Sequence, residues 1–256
     1  MSAMTARTVL VVLTNYKYVL WTIRMLTQIV AFSMLNHDDN RSRFDIVCLS
    51  EGRLDEVGTH RHLSILKSVC DKHVELEPIA GRSIRWQKIK IFSMPMLRSY
   101  DKIVYMDSDF IVKGDIGLEH FEVNKSIAIR WGQCGNTSKG PGRYREFWPR
   151  FWPQLALQYP KSPDDHQNIC LATNLWVVNV ATLPPVDLMA TRVRTLFERY
   201  PLQMYVTGGE QGFIQLLFWN STDHLKSPEK YLQHLYRQSC RLTPEKQCSD
   251  GREWGE

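Results

Sequence analysis

The sequence predicts one α/β domain over residues 1–256, built on a mainly parallel, Rossmann-like central sheet with helices on both faces. The main observation comes from the first 110 residues, in which short apolar segments alternate with segments whose apolar residues recur at helical spacing. A strand–helix–strand alternation implies right-handed crossovers between parallel strands. Composition agrees, since 43% hydrophobic and 23% charged residues are ordinary globular values and exclude disordered or collagen-like classes.

Four strands and three helices are predicted in the first half of the chain. Residues 8–13 (TVLVVL) form a continuous apolar run, typical of a strand that is covered on both faces. Residues 19–35 place apolar side chains at helical spacing. The same reasoning gives strands at 44–49, 73–76 and 102–106, and helices at 54–69 and 82–97, the latter interrupted by Pro95.

The second half is less regular. A strand is predicted at 127–131 and another at 175–180, followed by helices at 184–200 and 209–218. Residues 132–168 are rich in Gly, Pro, Trp and Arg without periodicity, which favours a binding insert over a linker. Residues 221–256 are expected to form an irregular tail.

Charge and hydropathy limit the partners. The net charge of +5 suits an acidic ligand such as a nucleotide, but it is too small and scattered to indicate nucleic-acid binding. No stretch has the roughly 20 uncharged apolar residues that a membrane span needs, and no signal-peptide core is evident. We therefore expect a cytoplasmic protein, or a Golgi-lumenal one if the chain belongs to a membrane-anchored parent.

The cysteines and sequons carry little chemistry in the sequence alone. None of the six cysteines forms a Cys-x-x-Cys pair, so no zinc site is expected. Cys48 is interpreted as a small core residue, and Cys240 with Cys248 would close a tail loop only in an oxidising compartment. Glycosylation sequons, which matter only in the secretory route, begin at Asn40, Asn124, Asn136 and Asn220.

Two carboxylates end the fourth predicted strand, in the sequence KIVYMDSD. Residues i and i+2 of an extended chain project to the same side, so Asp107 and Asp109 can converge. Such a pair can hold one hard divalent cation, with phosphate oxygens completing its shell. The cation would then offset charge on a departing diphosphate. The alternative is an ordinary solvated Asp-x-Asp loop.

Three motifs together resemble the glycogenin and galactinol-synthase group of GT-A glycosyltransferases, glycosyltransferase family 8. The first is the acidic motif in DKIVYMDSDFIVKGDI, from Asp101 to Ile116. The others are Leu13-Thr14-Asn15 with Tyr18, and the run GGEQG at residues 208–212. They occur in the family's order. The resemblance implies a GT-A fold, Mn²⁺ or Mg²⁺, a UDP-sugar donor and retention of anomeric configuration.

The resemblance also implies roles for individual residues. Asp107 and Asp109 would bind the metal, with Ser108 between them facing the donor. Tyr18 would stack on uracil, while Leu13, Thr14 and Asn15 contact the nucleoside. The alternative for Tyr18 is a packing residue at the start of a helix.

Further donor contacts are implied elsewhere in the chain. A cation near the diphosphate is assigned to Lys90, with Lys88 and Arg85 as competitors. Gly208 and Gly209 would let the backbone approach the sugar. Glu210 and Gln211 would bind its hydroxyls or stabilise charge at the anomeric carbon, which makes them catalytic candidates together with Asp109. The alternative is a glycine-led helix start.

The chain departs from the family pattern at three places. Ala172-Thr173-Asn174 stands where the family has Asn-Ala/Ser-Gly, so Asn174 is assigned to the donor from a shifted position. Glu210 replaces an Asp. The family's third metal ligand, a histidine in a longer motif, has no clear match. His224 and His234 are weak candidates because both come early in the chain.

The predicted function is metal-dependent, retaining transfer of a hexose from a UDP-sugar to an acceptor hydroxyl. The acceptor, a carbohydrate or protein-linked glycan, is assigned to the 132–168 insert and its flank, where Trp131, Trp148 and Trp152 accompany several arginines. One alternative is a catalytically inactive GT-A-like binding protein. Another is a sugar nucleotidyltransferase, which usually needs a Gly-rich loop after its first strand; none follows strand one here.

Overall fold

The computed structural model describes residues 7–35, 44–52, 54, 60–79, 83–118, 121–133, 169–199, 210, 213–214, 217–218, 221–225 and 232–234. The chain divides into two compact units. The first comprises residues 1–87, 100–121 and 227–256, and the second comprises residues 88–99 and 122–226. The prediction of one domain stays a prediction.

Strands alternate with helices through the first part of the described chain. The strands are β1 (Thr8–Thr14), β2 (Phe44–Glu51), β3 (Lys72–Leu76), β4 (Lys102–Met106), β5 (Phe110–Val112), β6 (Ile127–Gln133), β7 (Ile169–Asn179), β8 (Thr222–His224) and β9 (Leu232–His234). The α-helices with described bounds are α1 (Val19–Leu35), α2 (His60–Val69) and α3 (Val186–Arg199). Among the described residues, 3₁₀ helices occupy Ile84–Ser93, Pro95–Ser99 and Val180–Thr182.

In the first unit, four parallel strands lie in the order β3-β2-β1-β4. Every residue of β1 is buried, because the strand is covered on both faces, and it is apolar between its two terminal threonines. Thr8 lies opposite Phe44 on one side and Lys102 on the other. The predicted strands and their parallel pairing are confirmed here.

A small antiparallel pair supplements this sheet. β5 pairs with β9, and Phe110 lies opposite His234. The backbone N–H of Val112 donates to Gln28 Oε1 at 3.2 Å, which ties β5 to α1. Three-residue strands are too short for periodicity to reveal, so neither strand was predicted.

In the second unit, β6 pairs antiparallel with β7 and parallel with β8. Its register with β7 passes from Ile129 opposite Trp176 directly to Arg130 opposite Ala172. Residues 173–175 of β7 therefore have no partner on β6, which makes a bulge. Phe92 packs against Trp176 and Phe218, with ring centroids 5.0 and 4.8 Å apart.

The structure corrects the predicted helix at 82–97. Residues 84–93 and 95–99 form 3₁₀ helices instead. Trp86, Ile89 and Phe92 are all buried at a spacing of three, and a 3₁₀ helix aligns such residues on one face. The predicted break at Pro95 is confirmed, since proline has no N–H to continue the ladder.

Other boundaries also differ from prediction. The second α-helix begins at His60 rather than residue 54, and β7 begins at Ile169 rather than residue 175, because its strand continues through the bulge. β7 ends at Asn179, whose side chain accepts from the N–H of Ala181 and caps the following turn. Among the described residues, none of the helices has both the length and the hydropathy to cross a membrane.

Candidate functional site

The acidic motif lies at the carboxyl end of β4, directly beside the end of β1. Val12 of β1 is paired with Met106 of β4, so Leu13, the next residue of β1, and Asp107, the first residue after β4, lie at the same level. Neighbouring strands lie about 4.8 Å apart. The structure therefore brings the predicted nucleoside segment and the first predicted metal ligand to one edge of the first unit, where ligands of parallel sheets bind.

Asp107 is oriented by a buried tyrosine. The Tyr105 hydroxyl donates to Asp107 Oδ1 at 2.5 Å, and Tyr105 is 1% exposed. Both residues project to the same side because they are two positions apart. Asp107 itself is half-buried. One oxygen of this carboxylate is thus held by the core.

The rest of the acidic turn is enclosed as well. Ser108 is buried, and Asp109 is half-buried and immediately precedes β5. Asp107 and Asp109 offer hard oxygen donors, the kind that Mn²⁺ and Mg²⁺ prefer. Within the described part of the chain, no cluster of three or more His, Cys, Asp or Glu side chains is placed to hold a metal.

The loop after β1 is fixed by its own side chains. Asn15 Oδ1 accepts from the backbone N–H groups of Lys17 (3.0 Å) and Tyr18 (3.3 Å), an arrangement typical of a residue that caps a helix start. The Thr22 hydroxyl donates to the buried Thr14 hydroxyl at 2.8 Å.

These bonds leave only part of the loop for a ligand. The Thr14 hydroxyl and the Asn15 side-chain oxygen already take part in hydrogen bonds within the fold, and the Asn15 carbonyl accepts from the N–H of Tyr18 at 3.0 Å. The Tyr18 ring is half-buried. A cap signal, asparagine just before a helical run, was present in the sequence.

Lys88, in the second unit, is a buried cation. Lys88 is 3% exposed, and its ammonium donates to the Thr173 carbonyl at 3.3 Å. The residue assigned from the sequence, Lys90, is half-buried, and Arg85 is exposed. Lysine is almost never this deeply buried unless its ammonium is paired. Burial of the four consecutive residues 86 to 89 was not foreseen from the predicted α-helix.

The bulge of β7 carries two polar side chains. Thr173 is 1% exposed, and neither its Oγ1 nor the buried Oδ1 of the half-buried Asn174 has a hydrogen-bond partner among the described residues. Buried polar atoms without partners cost about 1–3 kcal/mol each. The Thr173 carbonyl, in contrast, accepts from the Lys88 ammonium.

Gln87 is a polar residue that sequence reasoning missed. It is fully buried, and its amide donates to Glu51 Oε2 at 2.7 Å and to the Glu77 carbonyl at 2.9 Å. Glu51 is the last residue of β2 and Glu77 follows β3, so this network lies at the same carboxyl edge as Asp107. The only available signal was a single polar residue at a buried position.

Several predicted residues lie outside the description. Glu210 is helical and 4% exposed, but Gly208, Gly209 and Gln211 fall on residues that are not described. Trp148 and Trp152 are likewise outside the described residues. Trp131 belongs to β6, without a described side chain. The roles given to all of these residues stay predictions.

Comparisons with solved structures identify the fold. The glycosyltransferase GlyE of Streptococcus pneumoniae aligns over 94% of this chain and 50% of its own, with a TM-score of 0.53 and 16% identity. The bifunctional glycosyltransferase WbbM aligns over 88% of this chain and 40% of its own, with a TM-score of 0.56 and 15% identity. The galactosyltransferase LgtC, solved with donor and acceptor sugar analogues, aligns over 84% of this chain and 72% of its own, with a TM-score of 0.53 and 12% identity.

The chain thus spans about half the length of GlyE and less of WbbM. No family model matches the sequence, and no curated protein is similar to it. At these identities the likeness establishes the fold. The chain accordingly has the α/β GT-A fold that the three motifs implied.

Proposed function

We propose that this protein is a metal-dependent, retaining glycosyltransferase that moves a hexose from a UDP-sugar to an acceptor hydroxyl. The observation that carries the proposal is the acidic turn, in which Tyr105 holds Asp107 beside the end of β1. Support comes from the fold, because the three structures compared above are glycosyltransferases. Assignment to glycosyltransferase family 8 belongs to the same proposal.

The donor set fits a hard divalent cation. Asp107 and Asp109 supply carboxylate oxygens at the ligand-binding edge of a parallel sheet. When bound there, Mn²⁺ or Mg²⁺ would neutralise charge on the leaving diphosphate. The fixed loop of Asn15 would receive the nucleoside.

His234 is our candidate for a third ligand. β9 pairs with β5 so that the backbone of His234 lies opposite Phe110, one residue from Asp109. His224 lies on β8, opposite Ile129 of the second unit. Strand register therefore favours His234 over His224, a choice that spacing along the sequence did not allow.

The proposed chemistry is attack by the acceptor hydroxyl on the face that the diphosphate leaves. The bond from the anomeric carbon to the donor oxygen breaks, the bond to the acceptor oxygen forms, and the departing phosphate oxygen takes the proton. Among the candidate residues, only Glu210 suggests itself as a covalent nucleophile, and it is buried in a helix. Positioning and charge stabilisation would supply most of the acceleration.

Two measurements test the proposal. The first is calorimetric titration of UDP with and without Mn²⁺, and the second is a donor-hydrolysis screen across UDP-sugars. We expect metal-dependent UDP binding and hydrolysis of at least one donor. Asp109→Ala should lower turnover by more than about 100-fold without unfolding the protein.

The matched control is Glu122→Ala, which removes one carboxylate from an exposed loop position and should leave activity unchanged. Equal activity of Asp109→Ala and wild type would remove the acidic pair from the mechanism. Preference for nucleoside triphosphates over UDP would support a nucleotidyltransferase. UDP binding without any hydrolysis or transfer would support an inactive binding protein.

A further inference from the structure

Glu51, the last residue of β2, projects from the same face of the sheet as the acidic turn. Leu49 is paired with Leu13 of β1, and Glu51 shares the face of Leu49 because it lies two positions further on. Asp107 lies beside Leu13 and also shares this face. The two carboxylates are therefore on one face of the carboxyl edge, and their backbones are two strand spacings apart, roughly 10 Å.

The face that carries Glu51 is not the one that α1 covers. Thr14 projects to the opposite face from Leu13, and its hydroxyl accepts from the hydroxyl of Thr22 on α1 at 2.8 Å. Immediately after Glu51, Gly52 turns the chain with a φ of 73°. Apart from its chain neighbours, no atom of the described residues lies within 4 Å of where a Cβ of Gly52 would be. The half-buried Glu51 therefore borders open space at the carboxyl edge.

Gln87 holds the Glu51 carboxylate from the protein side. Gln87 is fully buried, and its amide nitrogen donates to Glu51 Oε2 at 2.7 Å and to the Glu77 carbonyl at 2.9 Å. Both amide hydrogens are thereby used, while the buried Oε1 of Gln87 has no partner among the described residues. A carboxylate has about four acceptor positions, so the bond from Gln87 orients Glu51 without exhausting its capacity to accept.

We propose that Glu51 reads the base of the donor nucleotide by accepting a hydrogen bond from N3–H of uracil, and that Gln87 is its positioning residue. The inference rests on the proposed function, because it takes the diphosphate to lie at the acidic turn after β4. β1 separates β4 from β2, so a nucleotide whose ribose lies over the end of β1 places its base at β2. Uracil carries a hydrogen at N3, whereas cytosine carries a lone pair there, which a carboxylate repels.

Glu51→Gln changes the hydrogen-bond pattern and keeps the size of the side chain. Gln87 would donate to the oxygen of the substituted amide, which leaves the NH₂ group of that amide facing the base. This group donates where the carboxylate accepted, so it opposes N3–H of uracil and matches N3 of cytosine. We therefore expect the preference for UDP over CDP, the ratio of their dissociation constants, to fall by about 10-fold or more.

The test is calorimetric titration of the full chain with UDP, CDP, 2′-deoxy-UDP and 3-methyl-UDP in the presence of Mn²⁺. Wild type should prefer UDP to CDP, and it should bind 3-methyl-UDP, which lacks the N3 hydrogen, about 10-fold or more weakly than UDP. Gln87→Leu should lower the preference for UDP over CDP by less than Glu51→Gln does. The matched control is Glu75→Gln, because Glu75 is exposed and, opposite Ser50, projects from the other face of the sheet; its preference should equal that of wild type.

Several results would overturn the inference. An unchanged preference in Glu51→Gln, with metal-dependent UDP binding intact, would remove Glu51 from base recognition and leave the proposed function standing. A change only in the ratio of UDP to 2′-deoxy-UDP would assign the carboxylate to the ribose instead. Equal binding of UDP and 3-methyl-UDP by wild type would also contradict the inference, and that measurement stands even if a variant folds poorly. Absence of UDP binding by wild type would overturn the proposed function and this inference together.

Discussion

Replacing Tyr105 by Phe removes one hydroxyl and keeps the buried ring. In the structure, that hydroxyl donates to Asp107 Oδ1 at 2.5 Å. A hydrogen bond from a neighbouring side chain orients a metal ligand, and its loss typically lowers metal affinity by about 10- to 100-fold. We therefore expect the Mn²⁺ dissociation constant to rise by that factor, which corresponds to about 1.4–2.8 kcal/mol.

The effect on stability should be smaller than the effect on metal binding. Asp107 is half-buried, so water can replace the lost donor, and the net loss of one such bond is about 1 kcal/mol. For a protein of this size, that lowers the melting temperature by about 2–4 °C. The free energy of unfolding and the metal affinity therefore move by different amounts.

Calorimetric titration of Mn²⁺ measures the affinity directly. The matched control is Tyr100→Phe, which also removes a tyrosine hydroxyl bonded to a carboxylate, Asp45 Oδ2 at 2.6 Å. That pair lies at the amino end of the strands, away from the acidic turn. Its loss should leave Mn²⁺ affinity unchanged. An equal shift in both variants, or no shift in Tyr105→Phe, would refute an orienting role for Tyr105.

Three further predictions concern other residues. Lys88→Met should weaken UDP binding, measured by calorimetry, by more than Lys90→Met does, because Lys88 is buried whereas Lys90 is half-buried; the reverse order would restore the assignment from sequence. Burial lowers the pKa of His73 in the folded protein. The stability contributed by its neutral ring is therefore complete above about pH 6.5, the ordinary pKa of histidine, and is lost as the pH falls through the lowered pKa. As the pH is lowered over this range, the melting temperature of His73→Gln should fall less steeply than that of wild type. His234→Ala should weaken Mn²⁺ binding while His224→Ala does not; equal affinities would exclude His234 as a ligand.

The elements that the sequence predicted well are those whose signal is local. Every residue of β1 is buried, and a strand covered on both faces is apolar throughout, so its run TVLVVL was unambiguous. Helix α1 was predicted with both of its ends, since its periodicity spans 17 residues. The acidic pair was placed at a strand end because charge follows apolar residues abruptly there.

The features that were missed depend on contacts far apart in the chain. The 3₁₀ helix at Ile84–Ser93 is buried at residues 86–89, 91 and 92, so the contacts that hold it come from other parts of the chain. Lys88 meets the carbonyl of Thr173, 85 positions away. The β7 bulge is a property of pairing with β6. No window of sequence contains these partners, so spacing favoured Lys90 and a later strand start.

The geometry of the acidic turn bears on how much a cation would have to reorganise it. Asp107 is held from the core side by Tyr105, and the strand that follows Asp109 is tied to α1 through Gln28. The neighbouring loop is held by the bonds of Asn15 to its own backbone. A site whose supporting contacts exist before binding loses little conformational entropy when a ligand arrives. Metal affinity should therefore respond to loss of the Tyr105 hydroxyl, which orients a ligand, far more than to loss of an equivalent hydroxyl at the other end of the same strands.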